Sequence, residues 1–314
     1  MNLRDQARAR QIGQRIETFS KEVRPLSGLV DAAHVEALAL QLVDSLRRVE
    51  FAHHIRDAEH SPQRADPTSV LFDPLRAAVI FNRRGEHPEA WWLVFLATHF
   101  GKHHVDGWRL ARDIYGRFNG ENRWDWATVS ADPVAFRAWL AANGERLRGA
   151  DGISRRFSNH RKYESLRADS PKGTATVFSS YVAWIAPPRL PTDIVRHTHQ
   201  QVGQNPHDAF ASLYQAMDPV QRFGRLGKFD FLAMLGKLGI APIEPGTTFL
   251  KNATGPLAGA RLLVGGARNA KLDANDLEAT LSTFGAAIRI GAQPMEDAIC
   301  NWQKRPNAYV RFRG

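Results

Sequence analysis

Apolar and polar positions alternate along most of the chain with the spacing of α-helices. Leu38, Leu42 and Leu46 recur every four residues, so their side chains share one helical face. Pro88 followed by Glu89 is typical of the first turn of a helix, because proline lacks only an amide that would be unpaired there. Similar patterns predict helices at residues 105–115, 133–142, 208–216, 229–238, 276–284 and 295–303. The sequence therefore predicts an all-α fold.

Three prolines in the stretch APPRLPTD, residues 186–193, form the clearest interruption of this helical pattern. We place a boundary between two helical lobes there. The predicted division is an N-terminal helical region at 1–70, a lobe with a basic loop at 71–190, and a second lobe at 191–314. A linker within a single domain explains the same prolines equally well.

Composition favours a folded protein with a polyanionic partner. Hydrophobic residues make up 43% of the 314 residues, and 42 Lys and Arg against 32 Asp and Glu give a net charge of +10. Cys300 is the single cysteine, which excludes an internal disulfide and a multi-cysteine metal site. The N-terminus is charged and lacks an apolar signal segment, and no apolar run is long enough for a membrane span. We expect a cytoplasmic monomer with no membrane association.

The stretch FSNHRKYESL, residues 157–166, concentrates the groups that contact nucleic acids. Basic side chains neutralise phosphates, Tyr163 offers a stacking face, and amide and imidazole groups hydrogen-bond bases or phosphate oxygens. The alternative is a solvated loop in which Glu164 pairs with Arg161 or Lys162. The predicted DNA contacts in this region are Arg155, Arg156, Asn159, His160, Arg161 and Lys162.

A second stretch, GRLGKFDFLAMLGKLG at residues 224–239, places a glycine-containing turn before an apolar helix. Such a turn presents backbone N–H groups and the positive end of the helix dipole to an anion. Arg225, Gly227 and Lys228 are therefore candidate phosphate contacts, and Asp230 falls in the first turn of the predicted helix. An ordinary turn before a core helix is the alternative.

Two further sets of residues have a possible chemical role. Glu244 lies between Ile243 and Pro245, where a partly apolar turn can raise the pKa of a carboxyl and make it a base toward water. A simple turn residue is the alternative. His99 and His103 have helical spacing but no HExxH pattern, so we expect neither a metal nor another cofactor.

Five stretches together resemble one protein family. WWLVFLATHFGKH, FSNHRKYESL, GKFDFLAMLGKLG, NATGPLAGARLLVGG and MEDAICNWQK are similar to the α-glutamyl/putrescinyl thymine pyrophosphorylase clade 3 family, a branch of the helix-hairpin-helix DNA glycosylase superfamily. The similarity runs from about residue 71 to residue 314. It implies a two-lobed helical DNA glycosylase-like fold with a helix-hairpin-helix-type element. It also implies a double-stranded DNA substrate with bulky modified pyrimidines, as in phage genomes.

The resemblance also assigns roles to particular residues. The hairpin corresponds to residues 225–228, and the catalytic acid that follows the next helix corresponds to Glu244, with Asp230 as the competing carboxylate. Phe229 lies near the position of the lysine used by bifunctional glycosylases, which argues against Schiff-base chemistry with strand cleavage. The candidate residues for a pocket around the extruded base are Trp91, Tyr163 and Tyr181.

The leading hypothesis is a monofunctional DNA glycosylase with no cofactor, acting in antiphage defence. It would extrude a hypermodified pyrimidine, hydrolyse its N-glycosidic bond and leave an abasic site. The first alternative is a transferase that attaches an amino acid or amine to an activated thymine in DNA. The second is a DNA-binding protein without catalytic activity.

Overall fold

The computed structural model describes residues 2–311, and every regular element in this part of the chain is helical. The α-helices are α1 (Leu3–Glu22), α2 (Ala32–Asp57), α3 (Pro74–Arg83), α4 (His87–Phe100), α5 (Arg109–Tyr115), α6 (Trp126–Ala131), α7 (Pro133–Ala142), α8 (Gly144–Leu147), α9 (Thr174–Ile185), α10 (Pro191–Val202), α11 (Pro206–Ala216), α12 (Arg225–Lys237), α13 (Gly255–Gly265), α14 (Ala274–Ile288) and α15 (Ala292–Trp302). Only isolated β-bridges occur in the described residues. The predicted all-α fold is confirmed.

The chain divides into two compact units. Within the described residues, unit 1 comprises 2–52 and 245–311, and unit 2 comprises 53–244. The boundaries suggested by the sequence, after residues 70 and 190, both fall inside unit 2 and stay predictions about domains.

Unit 1 has an aliphatic and aromatic core built from α1, α2 and α13–α15. Ile16, Leu42, Phe284 and Trp302 contribute side chains that are fully buried in it. Helix α1 begins after Asn2, whose side-chain oxygen accepts a hydrogen bond from the backbone N–H of Asp5 at 2.8 Å.

Unit 2 has a core of stacked aromatic rings around α4. Trp91, Trp92 and Phe95 are each at most 1% exposed. The Phe95 ring lies 3.8 Å from that of Tyr181 on α9 and 5.9 Å from that of Phe231 on α12, measured between centroids. Because aromatic contacts of this kind are specific in geometry, they hold α4, α9 and α12 together as one scaffold.

A carboxyl group is buried in the same core. The Glu89 side chain accepts hydrogen bonds from the Tyr115 hydroxyl at 2.8 Å and from the backbone N–H of Trp126 at 2.6 Å. Burial outweighs these two bonds and raises the pKa of Glu89 to about 7. Glu89 therefore links Tyr115 and Trp126 in the core, in addition to its predicted place in the first turn of α4.

Helices α11 and α12 are consecutive and joined by residues 217–224. Helix α12 begins at Arg225, four residues earlier than the sequence pattern predicts, so residues 225–228 form its first turn. Whether α11 and α12 form a helix-hairpin-helix element of the glycosylase type stays a prediction. Within the described residues, no helix combines the length and apolar character that crossing a bilayer requires.

Candidate nucleic-acid interface and carboxylate

The basic stretch 157–166, named here the basic turn, is fixed to the C-terminal end of α4. The backbone N–H of Ser158 donates to the carbonyl oxygen of Phe100 at 3.0 Å. Gly101 ends α4 with a φ of +64° and a ψ of 160°, and a Cβ atom there would lie 2.0 Å from the Ser158 Oγ atom. The chain therefore needs glycine at this point, both for the backbone conformation and for the close approach of the basic turn.

The basic turn carries its polar groups on the surface. Asn159 and His160 begin a short 3-10 helix and are exposed, as is Lys162. Tyr163 is 77% exposed, and the Lys162 Nζ atom lies 5.1 Å from the centroid of its ring. An exposed aromatic ring next to cations is the arrangement expected of a surface that contacts nucleic acid.

Arg161 points away from these exposed groups and reaches α12. Its Nη2 atom lies 3.1 Å from the Oδ2 atom of Asp230. The Arg161 side chain is 11% exposed, whereas that of Asp230 is 44% exposed. The structure thus brings together a predicted phosphate contact and one of the two predicted carboxylates.

The protonation of Asp230 is set by opposing effects. Desolvation by the surrounding protein raises the pKa of its carboxyl, and the positive charges of Arg161, Lys237, Arg225 and His160 lower it, with a net shift upward. Because α12 begins at Arg225, Asp230 lies in its second turn, where a stabilising interaction with the helix dipole is weak. The interpretation of Asp230 as a first-turn acid therefore does not apply.

Glu164 pairs with Arg222, a residue that the sequence patterns did not single out. The Arg222 Nε and Nη2 atoms lie 3.2 and 3.1 Å from the two carboxylate oxygens of Glu164. Nη2 also donates to the carbonyl oxygen of Tyr163 at 3.2 Å. Glu164 and Arg222 are 58 positions apart, so no local pattern indicates this pair.

The two arginines that precede the basic turn differ in their surroundings. The Arg155 side chain is 2% exposed and binds Asp113 at 2.6 Å and Asp151 at 2.7 Å. The Arg156 side chain is 52% exposed and binds Asp106 at 2.8 Å. Arg155 is therefore committed to internal carboxylates, whereas Arg156 is accessible to a partner at the surface.

The residues of the first turn of α12 that were predicted to contact phosphates mainly pack within the protein. The Lys228 Nζ atom pairs with the Asp218 carboxylate, and the Lys228 side chain is 9% exposed. Gly227 is buried, with the Phe223 ring 3.2 Å from the position of a Cβ atom. Arg225 is partly exposed and lies 4.8 Å from the centroid of the Phe229 ring. Arg225 is thus the most accessible of the three candidates.

Glu244 is exposed and lies in the loop after α12. Its backbone N–H donates to the carbonyl oxygen of Pro206 at 3.1 Å, and its own carbonyl oxygen lies 3.1 Å from the His207 Nδ1 atom. These contacts place the Glu244 backbone against the start of α11.

The candidates for the base pocket are divided between the core and the surface. Trp91 is 1% exposed and Tyr181 is fully buried, so both rings belong to the core of unit 2. His99 is buried as well, with Nε2 3.0 Å from the Thr174 hydroxyl, and burial lowers its pKa to about 3. In the described residues, no three His, Cys, Asp or Glu side chains form a group that could hold a metal ion. Tyr163 is the one aromatic candidate of the three that an extruded base can reach without rearrangement of the core.

Comparison with known proteins places these residues in a family context. The sequence profile of the alpha-glutamyl/putrescinyl thymine pyrophosphorylase clade 3 family matches residues 33–314, which extends the similarity beyond the residue 71 expected from the motifs. No curated protein and no solved structure matches the chain. The match includes the basic turn, Asp230 and Glu244. The chain therefore belongs to the alpha-glutamyl/putrescinyl thymine pyrophosphorylase clade 3 family.

Proposed function

We propose that the protein is a monofunctional DNA glycosylase that hydrolyses the N-glycosidic bond of a hypermodified pyrimidine in duplex DNA. The observation that carries the proposal is the Asp230 carboxylate. It remains partly exposed beside the basic turn, and its pKa is raised by desolvation. A carboxylate in such a setting is suited to accept a proton from water.

The proposed reaction needs only this carboxylate and water. As the N-glycosidic bond breaks, its electron pair leaves with the base and positive charge develops on the sugar. Asp230 stabilises that charge and accepts a proton from the attacking water, whose oxygen forms the new bond to C1′. The departing base takes up a proton, and an abasic site remains in the strand.

The basic turn and Arg156, which precedes it, supply the DNA contacts in this proposal. Arg156 and Lys162 are accessible to phosphates, and Asn159 and His160 of the basic turn are exposed as well. Tyr163 stacks on the extruded base or on its neighbours, since its ring is 77% exposed. Arg155 is left out of the interface because its guanidinium group is buried with Asp113 and Asp151.

We favour Asp230 over Glu244 as the catalytic carboxylate, although the resemblance to helix-hairpin-helix glycosylases pointed to Glu244. Asp230 contacts a residue of the basic turn and has a raised pKa. Glu244 is exposed, and the contacts that fix it to α11 come from its backbone. The two assignments of the catalytic carboxylate predict different rates for the same variants, so one experiment separates them.

The biological setting in the proposal is defence against phages whose DNA carries bulky modified pyrimidines. The family name supports modified thymine as the substrate class. The same name includes a pyrophosphorylase activity, which supports a second candidate function. In that alternative the protein joins an amino acid or amine to an activated thymine in DNA, and the mass of the base rises.

The test is single-turnover release of the base from a duplex containing putrescinyl-thymine, by the wild type, Asp230→Asn and Glu244→Gln. Asp230→Asn is expected to keep its melting temperature and lose roughly a hundredfold to ten-thousandfold in rate, because a general base is removed. Glu244→Gln is the matched control and is expected to react like the wild type.

Each contrary result has a defined meaning. A folded, inactive Glu244→Gln beside an active Asp230→Asn would exchange the two roles. Mass spectrometry of the DNA distinguishes the reaction types in the same samples. A heavier base that appears in DNA with activated thymine only after putrescine or glutamate is added would replace the glycosylase proposal by the transferase.

A further inference from the structure

We infer that Arg222 is a positioning residue whose bidentate ion pair with Glu164 holds the basic turn so that Arg161 reaches Asp230. Arg222 lies in the connection 217–224 between α11 and α12 and contacts the basic turn at two points. Its importance for base release rests on the proposed function, whereas the positioning itself does not.

The connection 217–224, which carries Arg222, is itself held against α9. The backbone N–H of Gln221 donates to the Ser180 hydroxyl on α9 at 2.9 Å. Arg222 itself has a φ of +63°, a left-handed conformation that is unfavourable for a side chain with a Cβ atom. The three hydrogen bonds of its guanidinium group offset that strain.

The contacts of Arg222 fix the backbone on the C-terminal side of Arg161. Nη2 binds the carbonyl oxygen of Tyr163, and the backbone N–H of Glu164 donates to the carbonyl oxygen of Arg161 at 2.9 Å. The Glu164 side chain is 9% exposed, so water offers little replacement for its arginine partner. Loss of either member of the pair should therefore release the turn and, with it, Arg161.

The pKa of the Asp230 carboxyl shows whether the basic turn is released. The charged groups that act on it come from two elements, Arg161 and His160 from the basic turn, and Arg225 and Lys237 from α12. Only the first two depend on the position of the turn. Withdrawal of the Arg161 guanidinium from its 3.1 Å contact should raise the pKa of Asp230 further, since a nearby opposite charge favours the ionised carboxyl.

The experiment is a ¹³C NMR titration of the Asp230 carboxyl in the free protein, assigned with Asp230→Asn. Arg222→Ala, Arg222→Lys and Glu164→Gln are each expected to raise the midpoint, as is Arg161→Gln. Glu164→Gln is the sharpest variant, because removal of a negative charge by itself would lower the midpoint of a neighbouring carboxyl. Arg167→Ala is the control, since Arg167 pairs at the surface with Asp169.

Two outcomes would overturn the inference. A lower midpoint in Glu164→Gln, or an unchanged midpoint in a folded Arg222→Lys, would mean that the pair acts by charge alone or has no effect on Arg161. Melting temperatures identify variants that fail to fold, and Arg222→Lys is the milder substitution for that case. Because no DNA is present, this result stands even where the base-release assay fails to support the proposed glycosylase.

Discussion

Glu89 has two roles in the fold. Its position in the sequence suggests an acid in the first turn of a helix, and its burial makes it a hydrogen-bonding group of the core. Pro88 and Glu89 mark the first turn of α4, where an acid favours the helix dipole. The same carboxyl lies in the aromatic core and binds the Tyr115 hydroxyl and the Trp126 backbone. Since both contacts also suit a neutral carboxyl or an amide, the charge on Glu89 is a cost to the folded state.

We predict that stability falls as pH rises through the range in which Glu89 ionises. Its pKa is about 7 in the folded protein against 4.5 in a model peptide, so the folded state binds the proton more tightly. Its contribution is fully present below pH 4.5 and is lost as pH rises toward and through 7. The loss in the free energy of unfolding is roughly 3 kcal/mol, from 1.36 kcal/mol per unit of pKa difference.

Urea unfolding of the wild type and Glu89→Gln between pH 4.5 and 8 measures this effect. The glutamine variant is expected to lack this part of the pH dependence and to be the more stable protein at pH 8. Glu145→Gln is the control, because Glu145 is 83% exposed. Parallel pH profiles for the wild type and Glu89→Gln would mean that folding does not raise the pKa of Glu89.

At the scale of elements, helices with regular apolar spacing were predictable, whereas the exact ends of most of them were not. Helix α7 matches the predicted range 133–142. Helix α12 starts earlier than predicted because Gly227 and Lys228 resemble a turn in the sequence. In the fold, the Phe223 ring covers Gly227 and Asp218 pairs with Lys228, so both residues fit a helix.

The candidate site was also predictable only in part, because a sequence shows local patterns of residue types and does not show tertiary contacts. The basic turn is a local pattern of residue types, and the sequence identified it. The partners within it depend on tertiary packing: Arg161 with Asp230 is a separation of 69 positions, and Glu164 with Arg222 is 58. The burial of Arg155 likewise depends on Asp113, which lies on another element.

We predict that Gly101→Ala displaces the basic turn from the end of α4. The backbone conformation at Gly101 is almost exclusive to glycine and should cost on the order of 1–3 kcal/mol for alanine. The new Cβ atom would also meet the Ser158 Oγ atom at 2.0 Å. The expected result is lower stability together with weaker DNA binding, measured by melting temperature and by fluorescence anisotropy.

Gly85→Ala separates the effect of the backbone conformation from the effect of the contact with Ser158. Gly85 also has a positive φ, +80°, but no atom lies within 4 Å of the position of its Cβ. It should therefore lose some stability and keep its DNA affinity. Equal losses of DNA affinity in the two variants would show that the contact with Ser158 does not hold the basic turn in place.

At the scale of the whole molecule, the net charge of +10 is meaningful only where the cations are accessible. Many arginines pair with acids inside the described fold, as Arg155 does with Asp113 and Asp151. Arg156 also pairs with an acid, Asp106, but its side chain is 52% exposed, and Lys162 is exposed beside the Tyr163 ring. The affinity for duplex DNA should therefore depend on a small local cluster rather than on total charge.

We predict that this local cluster sets the salt dependence of DNA binding. Each phosphate contact contributes about 0.9 to the slope of log affinity against log salt, so Arg156→Gln with Lys162→Gln should reduce the slope by nearly two. Arg83→Gln with Arg84→Gln removes the same charge from exposed positions at the end of α3 and should leave the slope almost unchanged. Anisotropy titrations of a labelled duplex at several salt concentrations measure both slopes. Because total charge is equal in the two double variants, equal slopes would assign binding to the overall charge and remove the basic turn from the interface.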